Sequence, residues 1–525
     1  MVDEAMELFW EDLDSGEVHI RDKWQFSLKS EFFPHIGLKP SEYTQEFYLF
    51  IPNSLQVDSR TYSKNEFYLD ETNLIRYKTP EFSFDELTNV HDNRSPLTRV
   101  MALCRQKDNE ENRKHLSDEL KLLANVVRSL LRREVKQMIL TLQKEPKTPV
   151  SSYLSNCTHK LCSDIRSLRA LYKQTEAVYL ENWKDPLFYR QLLYIDEFLS
   201  DSITYYLTGL LENIRLIGHE SYKLVDDELC ELLLEEKEIG DTFVKKSSME
   251  SIENNGAEAE GILYRFGLLN KFVLDALLLP INRFSSEQHY QERYQQWIGG
   301  LSAAVAMFLY FSLFVWLGNV FVINSSPFIL LMIIVYVLKD RLKEWLRSFS
   351  YLQASRWFPD YTTVVRSPSR KNELGTIEES FSFVELARLP KEIKEIRNRE
   401  FHTVLEEYQR PENIIFYKRT VRMNAPIAVG ARRYGLNIIF RFNIHRFLYK
   451  AADPSETHLI IDSATRKLTP VRLPKVYHLN LIIASRAIES DDRSKKETLV
   501  QFKKLRLVID KNGIKRIEQL KTPLL

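Results

Sequence analysis

The sequence predicts a multi-domain α+β integral membrane protein. The expected order is a cytoplasmic β-domain and helical bundle, a two-helix transmembrane hairpin and a C-terminal antiparallel β sandwich or barrel. Three observations predict it: an uncharged apolar run near the middle of the chain, helical periodicity before that run, and strand patterns towards both ends. The chain of 525 residues is long enough for two to four domains, and 44% apolar residues exclude wholesale disorder.

The uncharged run predicts the membrane hairpin. From Ile298 to Leu338, 41 residues include no Asp, Glu, Lys, Arg or His. A bilayer core is spanned by about 20 apolar residues, so this length fits two crossings. Gly318-Asn319 and the segment Asn324–Pro327 have the composition of a turn. The alternative is a buried hairpin of a soluble core.

Positive charges around the run predict its orientation. Lys339, Arg341 and Lys343 follow the second helix, and the turn between the helices has no Lys or Arg. Positively charged flanks stay on the cytoplasmic side. The expected location is therefore a bacterial inner membrane or a plasma membrane, with both termini cytoplasmic.

Small residues open the first helix of the predicted hairpin. Gly299 and Ala303, and Gly300 and Ala304, are each four residues apart. This spacing places them on one side of a helix and allows close helix packing in lipid. Two interpretations stay open: packing onto the second helix of the same hairpin, and self-association of chains.

Composition and periodicity set the other boundaries. Aromatic-rich strand patterns such as Glu46–Ile51 alternate with turn residues near the N-terminus, and leucines recur at helical spacing around Leu116–Leu131. Asn512-Gly513 between apolar runs is a strong hairpin signal. The predicted units are a β-rich N-terminal domain (1–95), a helical bundle (96–240), an acidic linker (241–261), an amphipathic membrane-proximal helix (262–297), the transmembrane hairpin (298–346), an amphipathic or mixed connector (347–410) and a basic β-domain (411–525).

The predicted C-terminal domain carries the positive charge of the chain. Residues 411–525 contain 23 Lys and Arg against 10 Asp and Glu, a balance of +13. A basic domain beside a bilayer can contact anionic lipid headgroups. An acidic protein partner and solvated strand faces are the other interpretations, and nucleic acid is the least favoured. The candidate contact residues are Arg432, Arg433, Lys503, Lys504, Lys515 and Arg516.

No reaction motif is present in the sequence. Neither a Gly-rich phosphate loop nor a nucleophile elbow occurs, and no cofactor or metal is expected. Cys157, His159 and Cys162 are close together, but a structural zinc site needs a second ligand pair. His445 and His458 fall on neighbouring predicted strands, with Asp462 close by. A His–Asp pair can do acid–base work, but ordinary strand histidines are the favoured interpretation.

Three functional hypotheses follow from the sequence. The first is a multi-pass membrane protein with large cytoplasmic domains, acting as a scaffold, sensor or assembly factor through protein or anionic-lipid contacts. An oligomeric channel or transport component is the second, because small residues line the first predicted helix. A membrane-bound enzyme without a readable motif is the third. The expected partners are the bilayer, a second copy of the chain and an unidentified protein.

Overall fold

Two β-sheets, a helical bundle and a helical hairpin make up the described part of the chain. The computed structural model describes residues 18–33, 41–144, 151–183, 185–217, 223–247, 255–285, 300–316, 326–354, 359–367, 373–398, 412–424, 435–461, 467–491 and 494–520.

The strands run from one end of the described chain to the other. They are β1 (Val18–Ile20), β2 (Gln25–Phe32), β3 (Ser41–Pro52), β4 (Glu71–Tyr77), β5 (Ile281–Ser285), β6 (Tyr361–Arg366), β7 (Glu373–Val384), β8 (Glu412–Met423), β9 (Leu436–Asn443), β10 (Ser455–Ile461), β11 (Leu468–Pro474), β12 (Tyr477–Asp491), β13 (Ser494–Asp510) and β14 (Gly513–Leu520).

Most helices lie between β4 and β5. The helices are α1 (Lys64–Asp70), α2 (Phe84–Thr88), α3 (Pro96–Cys104), α4 (Glu110–Lys144), α5 (Ser151–Asn182), α6 (Pro186–Ile217), α7 (Lys223–Ser247), α8 (Asn255–Leu274), α9 (300–316), α10 (Ser326–Ala354) and α11 (Lys391–Asn398).

Helices α3 to α8 form a bundle, of which the leucine spacing predicts the part within residues 96–240. Apolar residues at three- and four-residue steps place one stripe of each helix in a shared core. Trp183 is fully buried there, and its indole Nε1 donates to the carbonyl of Gln106 at 3.0 Å. Arg169 binds the buried Glu236 carboxylate and Asp196, so three helices are joined by one charged group.

An eight-stranded antiparallel sheet combines strands from distant parts of the sequence. Its order is β14-β13-β12-β3-β8-β7-β6-β5. Strand β3 is central: it pairs with β8 from Ser41↔Met423 to Pro52↔Glu412, and with β12 on its other edge. Both faces of β3 are largely buried. The N-terminal segment therefore supplies a middle strand to the sheet that the C-terminal segment builds.

The second sheet, in the order β1-β2-β9-β4, packs on one face of the first. Aromatic rings fill the space between them. The rings of Phe47 and Phe440 stack with centroids 5.2 Å apart, and those of Phe67 and Phe381 stack at 4.5 Å. This core explains why aromatic residues are frequent in the strand-forming segments.

Helices α9 and α10 are an insertion between the edge strand β5 and its neighbour β6. Strand β5 precedes them, β6 follows them, and the two strands pair from Ile281↔Val365 to Ser285↔Tyr361. The chain thus leaves the sheet after β5, includes both helices, and returns to the sheet in β6, directly beside β5.

The integral membrane fold predicted for this chain was wrong. Over the ranges that the structure describes, none of the helices is both long enough and apolar enough to cross a bilayer. Helix α9 is described over 300–316, which is 17 residues. Helix α10 is longer but carries Lys339, Asp340 and Arg341 within it. The predicted transmembrane hairpin is therefore a pair of helices that is not long and apolar enough to cross a bilayer, over the residues described. The predicted membrane location and the predicted cytoplasmic termini depended on this hairpin and lose their basis.

The self-contained C-terminal sandwich or barrel was wrong as well. Strands β12 and β8 do not pair with each other, because β3 lies between them. The sequence pattern identifies these segments as strands but contains no information about a partner several hundred residues away.

Candidate functional site

The pair α9 and α10, called here the apolar hairpin, is the most unusual surface of the described chain. Its two helices contact each other through a narrow stripe. On α9 the buried residues are Ser302 (5% exposed) and Ala306 (2%), and on α10 the buried residue is Val335 (7%). Tyr310 and Leu313 pack against Val335 from the first helix. Small side chains at 302 and 306 allow this close approach.

The opposite side of α9 is exposed. At 100° per residue, Gly300, Ala304, Phe308, Phe311 and Val315 project away from the stripe that contacts α10. Phe308 is 71% exposed and Val315 is 61% exposed. A Cβ atom added to Gly300 would meet nothing within 4 Å. This side of the helix is a smooth groove at one end and a row of large apolar side chains at the other.

Helix α10 has a matching exposed row. Leu330, Ile333 and Val337 recur at i, i+3 and i+7, which is the spacing of one face of a helix. Their exposed fractions are 64%, 61% and 55%. Each helix therefore presents one apolar side to its neighbour in the hairpin and another to the surroundings.

The exposed apolar area of the hairpin is large for a single chain. Between residues 300 and 338, sixteen large apolar side chains are more than a third exposed. At roughly 100 Å² each, they present on the order of 1,500 Å², several times the patch of a few hundred Å² that monomers expose. A helix that is apolar all round is normally buried. An exposed apolar area of this size is typical of contact surfaces.

Charge begins where this surface ends. The Lys339 ammonium lies over the Tyr336 ring at 4.1 Å and over the Tyr310 ring at 5.7 Å. These cation–π contacts hold the first charged group of α10 against aromatic faces of both helices. The apolar surface consequently has a defined boundary at Leu338.

The small residues singled out from the sequence fall at different depths. Gly300 and Ala304 lie on the exposed side of α9, Ala303 is half-buried, and Gly299 lies outside the described residues. The pair that packs inside the hairpin is Ser302 and Ala306. Helix α9 therefore has two small-residue faces, one used within the chain and one open.

The basic residues proposed as an anionic contact are also spread over different depths. Lys504 is buried, and its ammonium donates to the carbonyl of Ile396 at 3.0 Å. Lys503 is half-buried, and burial lowers its pKa. Lys515 pairs with Asp510 at 2.9 Å, and Arg516 with Glu518 at 2.7 Å. Arg432 and Arg433 lie outside the described residues. Contact with anionic headgroups stays a prediction.

The cysteine and histidine residues do not assemble into a metal site in the part of the chain that the structure describes, where no group of three or more possible ligands occurs. On α5, His159 points to Glu228 of α7, with its Nδ1 at 2.8 Å from the carboxylate. Burial raises the pKa of the Cys162 thiol to about 12. His445 contacts the Trp24 ring, with centroids 5.0 Å apart, and Asp462 lies outside the described residues.

A layer of buried polar residues lies between the sheets and could not be predicted from the sequence. Arg283 of β5 lies 3.2 Å from the Glu71 carboxylate and 3.1 Å from that of Glu379. The Tyr417 hydroxyl donates to Glu379 at 2.6 Å. These residues come from β4, β5, β7 and β8, so no spacing along the chain could reveal their meeting. The nearby cavity is lined by Tyr417 and by other aromatic and aliphatic side chains, and it has a volume of about 20 Å³, which is room for a single water molecule.

The chain matches no protein-family model, no curated protein and no solved structure. A multi-pass membrane protein, the first hypothesis from the sequence, was wrong, since no described helix is able to span a bilayer. The channel and the membrane-bound enzyme required the same topology and lose their basis with it.

Proposed function

We propose that the protein functions as a homo-oligomer whose subunits are joined through the apolar hairpin. The observation that carries the proposal is the set of sixteen large apolar side chains exposed on α9 and α10. Exposed area of this size is characteristic of interaction sites. The area available on one chain also exceeds the roughly 800 Å² per partner that a standard stable interface buries.

The chemistry of the surface favours a second copy as its partner. No charged residue occurs from Ile298 to Leu338, so a partner that brought a charge to this surface would leave it desolvated and unpaired. A second apolar hairpin brings none. Pairing of identical patches about a two-fold axis is the commonest arrangement in soluble oligomers.

The open small-residue face offers a place for close approach. Gly300 and Ala304 sit on the outer side of α9, opposite Ser302 and Ala306, which already allow α10 to pack closely. Two copies that meet at Gly300 and Ala304 bring their Phe308 and Val315 side chains together. The result is a four-helix contact with two helices from each chain.

The test compares glutamate substitutions at matched exposed positions. In F308E/V315E the charges lie within the proposed interface, whereas in the control L69E/L224E they replace leucines that are 72% and 77% exposed elsewhere. The masses of the full-length variants in detergent-free buffer are measured by light scattering after gel filtration. We expect a dimer or higher oligomer for the wild type and the control, and a monomer for F308E/V315E.

Three results would contradict the proposal. They are a monomeric wild type, an oligomer that survives F308E/V315E unchanged, and a wild type that sediments with phosphatidylcholine vesicles while remaining monomeric in their absence. The last result would assign the hairpin to lipid instead of to a second chain.

A further inference from the structure

Strands β10 and β11 form a two-stranded ribbon of their own, called here the β-ribbon. They pair antiparallel from Ser455↔Pro474 to Ile461↔Leu468 in unbroken register. Among the described strands, neither joins the two larger sheets. Thirteen of the fourteen residues of the β-ribbon are exposed, so neither of its faces is covered by the described part of the chain. A two-stranded hairpin is at best marginally stable by itself in water, and a third strand or a packed face normally stabilises it.

The base of the β-ribbon is attached to the core of the fold. Ala451, four residues before β10, is buried between the sheets. The amide of Ala452 donates to the Tyr477 hydroxyl of β12 at 2.9 Å. The Lys511 ammonium lies 2.8 Å from the Asp453 carboxylate. The β-ribbon therefore extends from a fixed base.

The hydrogen-bond register decides which backbone groups of β10 face outward. The Lys475 amide donates to the carbonyl oxygen of Pro454, directly opposite, at 2.9 Å. Hydrogen-bonded and non-hydrogen-bonded pairs alternate along an antiparallel ladder. The next pair, Ser455↔Pro474, is therefore non-hydrogen-bonded, as is every second pair after it. The residues whose backbone N–H and C=O groups point away from β11 are Ser455, Thr457, Leu459 and Ile461.

The two edges of the β-ribbon differ in their capacity to accept another strand. Pro470 and Pro474 occupy outward-facing positions of β11, and proline has no N–H to donate. Proline on an edge strand prevents pairing with another chain. Strand β10 contains no proline, and its only titratable side chains are those of Glu456 and His458. An added strand can therefore pair along β10, whereas β11 is blocked.

We propose that β10 pairs antiparallel with β10 of a second copy of the chain, about a two-fold axis at Thr457. In this register Thr457 lies opposite Thr457 of the second copy, and Ser455 lies opposite Leu459 of the second copy. Outward-facing residues thus meet outward-facing residues, and each such pair exchanges two backbone hydrogen bonds. The two β-ribbons become one four-stranded sheet with β11 at both edges.

Charge complementarity selects this axis over its neighbours. With the axis at Thr457, Glu456 of each copy lies opposite His458 of the other, and opposite charges across a strand pair are stabilising. An axis at Glu456 places two carboxylates opposite each other, and an axis at His458 does the same for two imidazoles. An axis at Leu459 moves Glu456 past the end of the partner strand at Ile461.

This contact is separate from the apolar hairpin and does not depend on it. A chain with two different two-fold interfaces contacts two neighbours, so both contacts together join more than two chains.

Cysteine cross-linking of the full-length protein tests the register. The background is Cys157→Ser/Cys230→Ser, which removes the two half-buried thiols and leaves the two buried ones. Hydrogen-bonded residues of an antiparallel pair have Cα atoms about 5.5 Å apart, which suits a disulfide. On oxidation with copper phenanthroline, we expect Thr457→Cys to form a covalent dimer on a non-reducing gel.

The neighbouring positions are the matched controls. Two copies of Leu459 lie four residues apart along the proposed ladder, roughly 13 Å, and the same holds for Ser455. Leu459→Cys and Ser455→Cys alone should each link about tenfold less than Thr457→Cys. The double variant S455C/L459C should link efficiently, because each new cysteine lies opposite the other cysteine of the second copy.

Proline substitutions separate the two edges. Leu459→Pro removes an outward N–H of β10, and Leu468→Pro makes the same change on the edge that already contains prolines. In the Thr457→Cys protein, we expect Leu459→Pro to lower the yield of covalent dimer about tenfold and Leu468→Pro to leave it unchanged.

Four results would overturn the proposal. They are no covalent dimer from Thr457→Cys, equal linking by Leu459→Cys, equal loss with both proline substitutions, and loss of the Thr457→Cys dimer in F308E/V315E. The last result would show that linking depends on the apolar hairpin. Linking that persists in F308E/V315E, whatever the mass of that variant, supports the β-ribbon contact independently of the proposed function.

Discussion

Glu71 is a buried residue whose raised pKa makes the stability of the protein depend on pH. Its side chain is 2% exposed, and one carboxylate oxygen has no hydrogen-bond partner among the described residues. Burial, followed by the charge of Glu379, raises the pKa of Glu71 to about 8. Arg283 and Arg419 act against this shift but do not cancel it. The folded protein therefore favours the protonated form of Glu71 over the whole acidic and neutral range.

This raised pKa predicts the direction of a pH effect. An unfolded chain releases the Glu71 proton near the ordinary pKa of 4.5, whereas the folded chain keeps it until about pH 8. The stability contributed by protonated Glu71 is complete below pH 4.5 and is lost as pH rises towards 8, by about 1 kcal/mol per pH unit. Urea unfolding from pH 5 to 8 should show the wild type losing stability relative to Glu71→Gln.

The control for this pH effect is Glu378→Gln. Glu378 lies beside Glu379 on β7, and its carboxylate pairs with Arg422 at 2.6 Å on the exposed outer face. Its substitution should leave the pH dependence of stability as in the wild type. Parallel stability curves for the wild type and Glu71→Gln would show that Glu71 does not carry the effect.

At the scale of elements, the β13–β14 hairpin depends on one glycine. Asn512-Gly513 predicts a tight hairpin turn, and the pairing Asp510↔Gly513 confirms it. Gly513 has φ = 135°, a conformation that other residues rarely adopt. A Cβ atom at this position would lie 2.0 Å from the carbonyl oxygen of Lys23. The amide of Ile514 donates to that same oxygen at 2.6 Å, so the turn is fixed against the segment before β2.

Gly513→Ala is therefore expected to destabilise the protein by roughly 1–3 kcal/mol, through backbone strain and the clash with Lys23. The matched control is Gly267→Ala in α8, where an added Cβ would meet nothing within 4 Å. It should stabilise the helix by about 0.5–1 kcal/mol. Urea midpoints of the two variants measure the difference. Equal midpoints would contradict the assigned role of the turn.

At the scale of the whole molecule, the interleaved sheet decides which fragments can fold. Strand β3 pairs along its full length with β8 and through nine residue pairs with β12. It also places Phe47, Leu49 and Ile51 in the core between the sheets. A fragment without β3 would expose two long strand edges and lose these apolar contacts.

Residues 411–525 expressed alone should consequently fail to form a native sheet and should aggregate. A longer fragment that links residues 18–95 to 359–525 restores β1 to β4 and retains β6 to β14. It should give dispersed amide resonances in an NMR spectrum, in contrast to the short fragment. Well-dispersed resonances from 411–525 alone would show that β3 is dispensable.

Several features could be predicted from the sequence because they depend on neighbouring residues. Leucines at three- and four-residue steps place a bundle within 96–240, since helical periodicity is local. Asn512-Gly513 specifies a hairpin for the same reason. The uncharged run from Ile298 to Leu338 correctly locates a pair of apolar helices, but its composition alone does not determine helix length or what covers the exposed face.

Contacts between distant residues depend on the packing of the whole chain. Glu71 lies more than two hundred residues before Arg283 and more than three hundred before Glu379. They come together only because β4 lies over β5 and β7 across the sheet interface. Alternation and periodicity define which face of an element is apolar, but the partner of that face is chosen by the packing of the entire core. Local sequence patterns therefore specify the elements, and the packing of the core specifies which residues form a site.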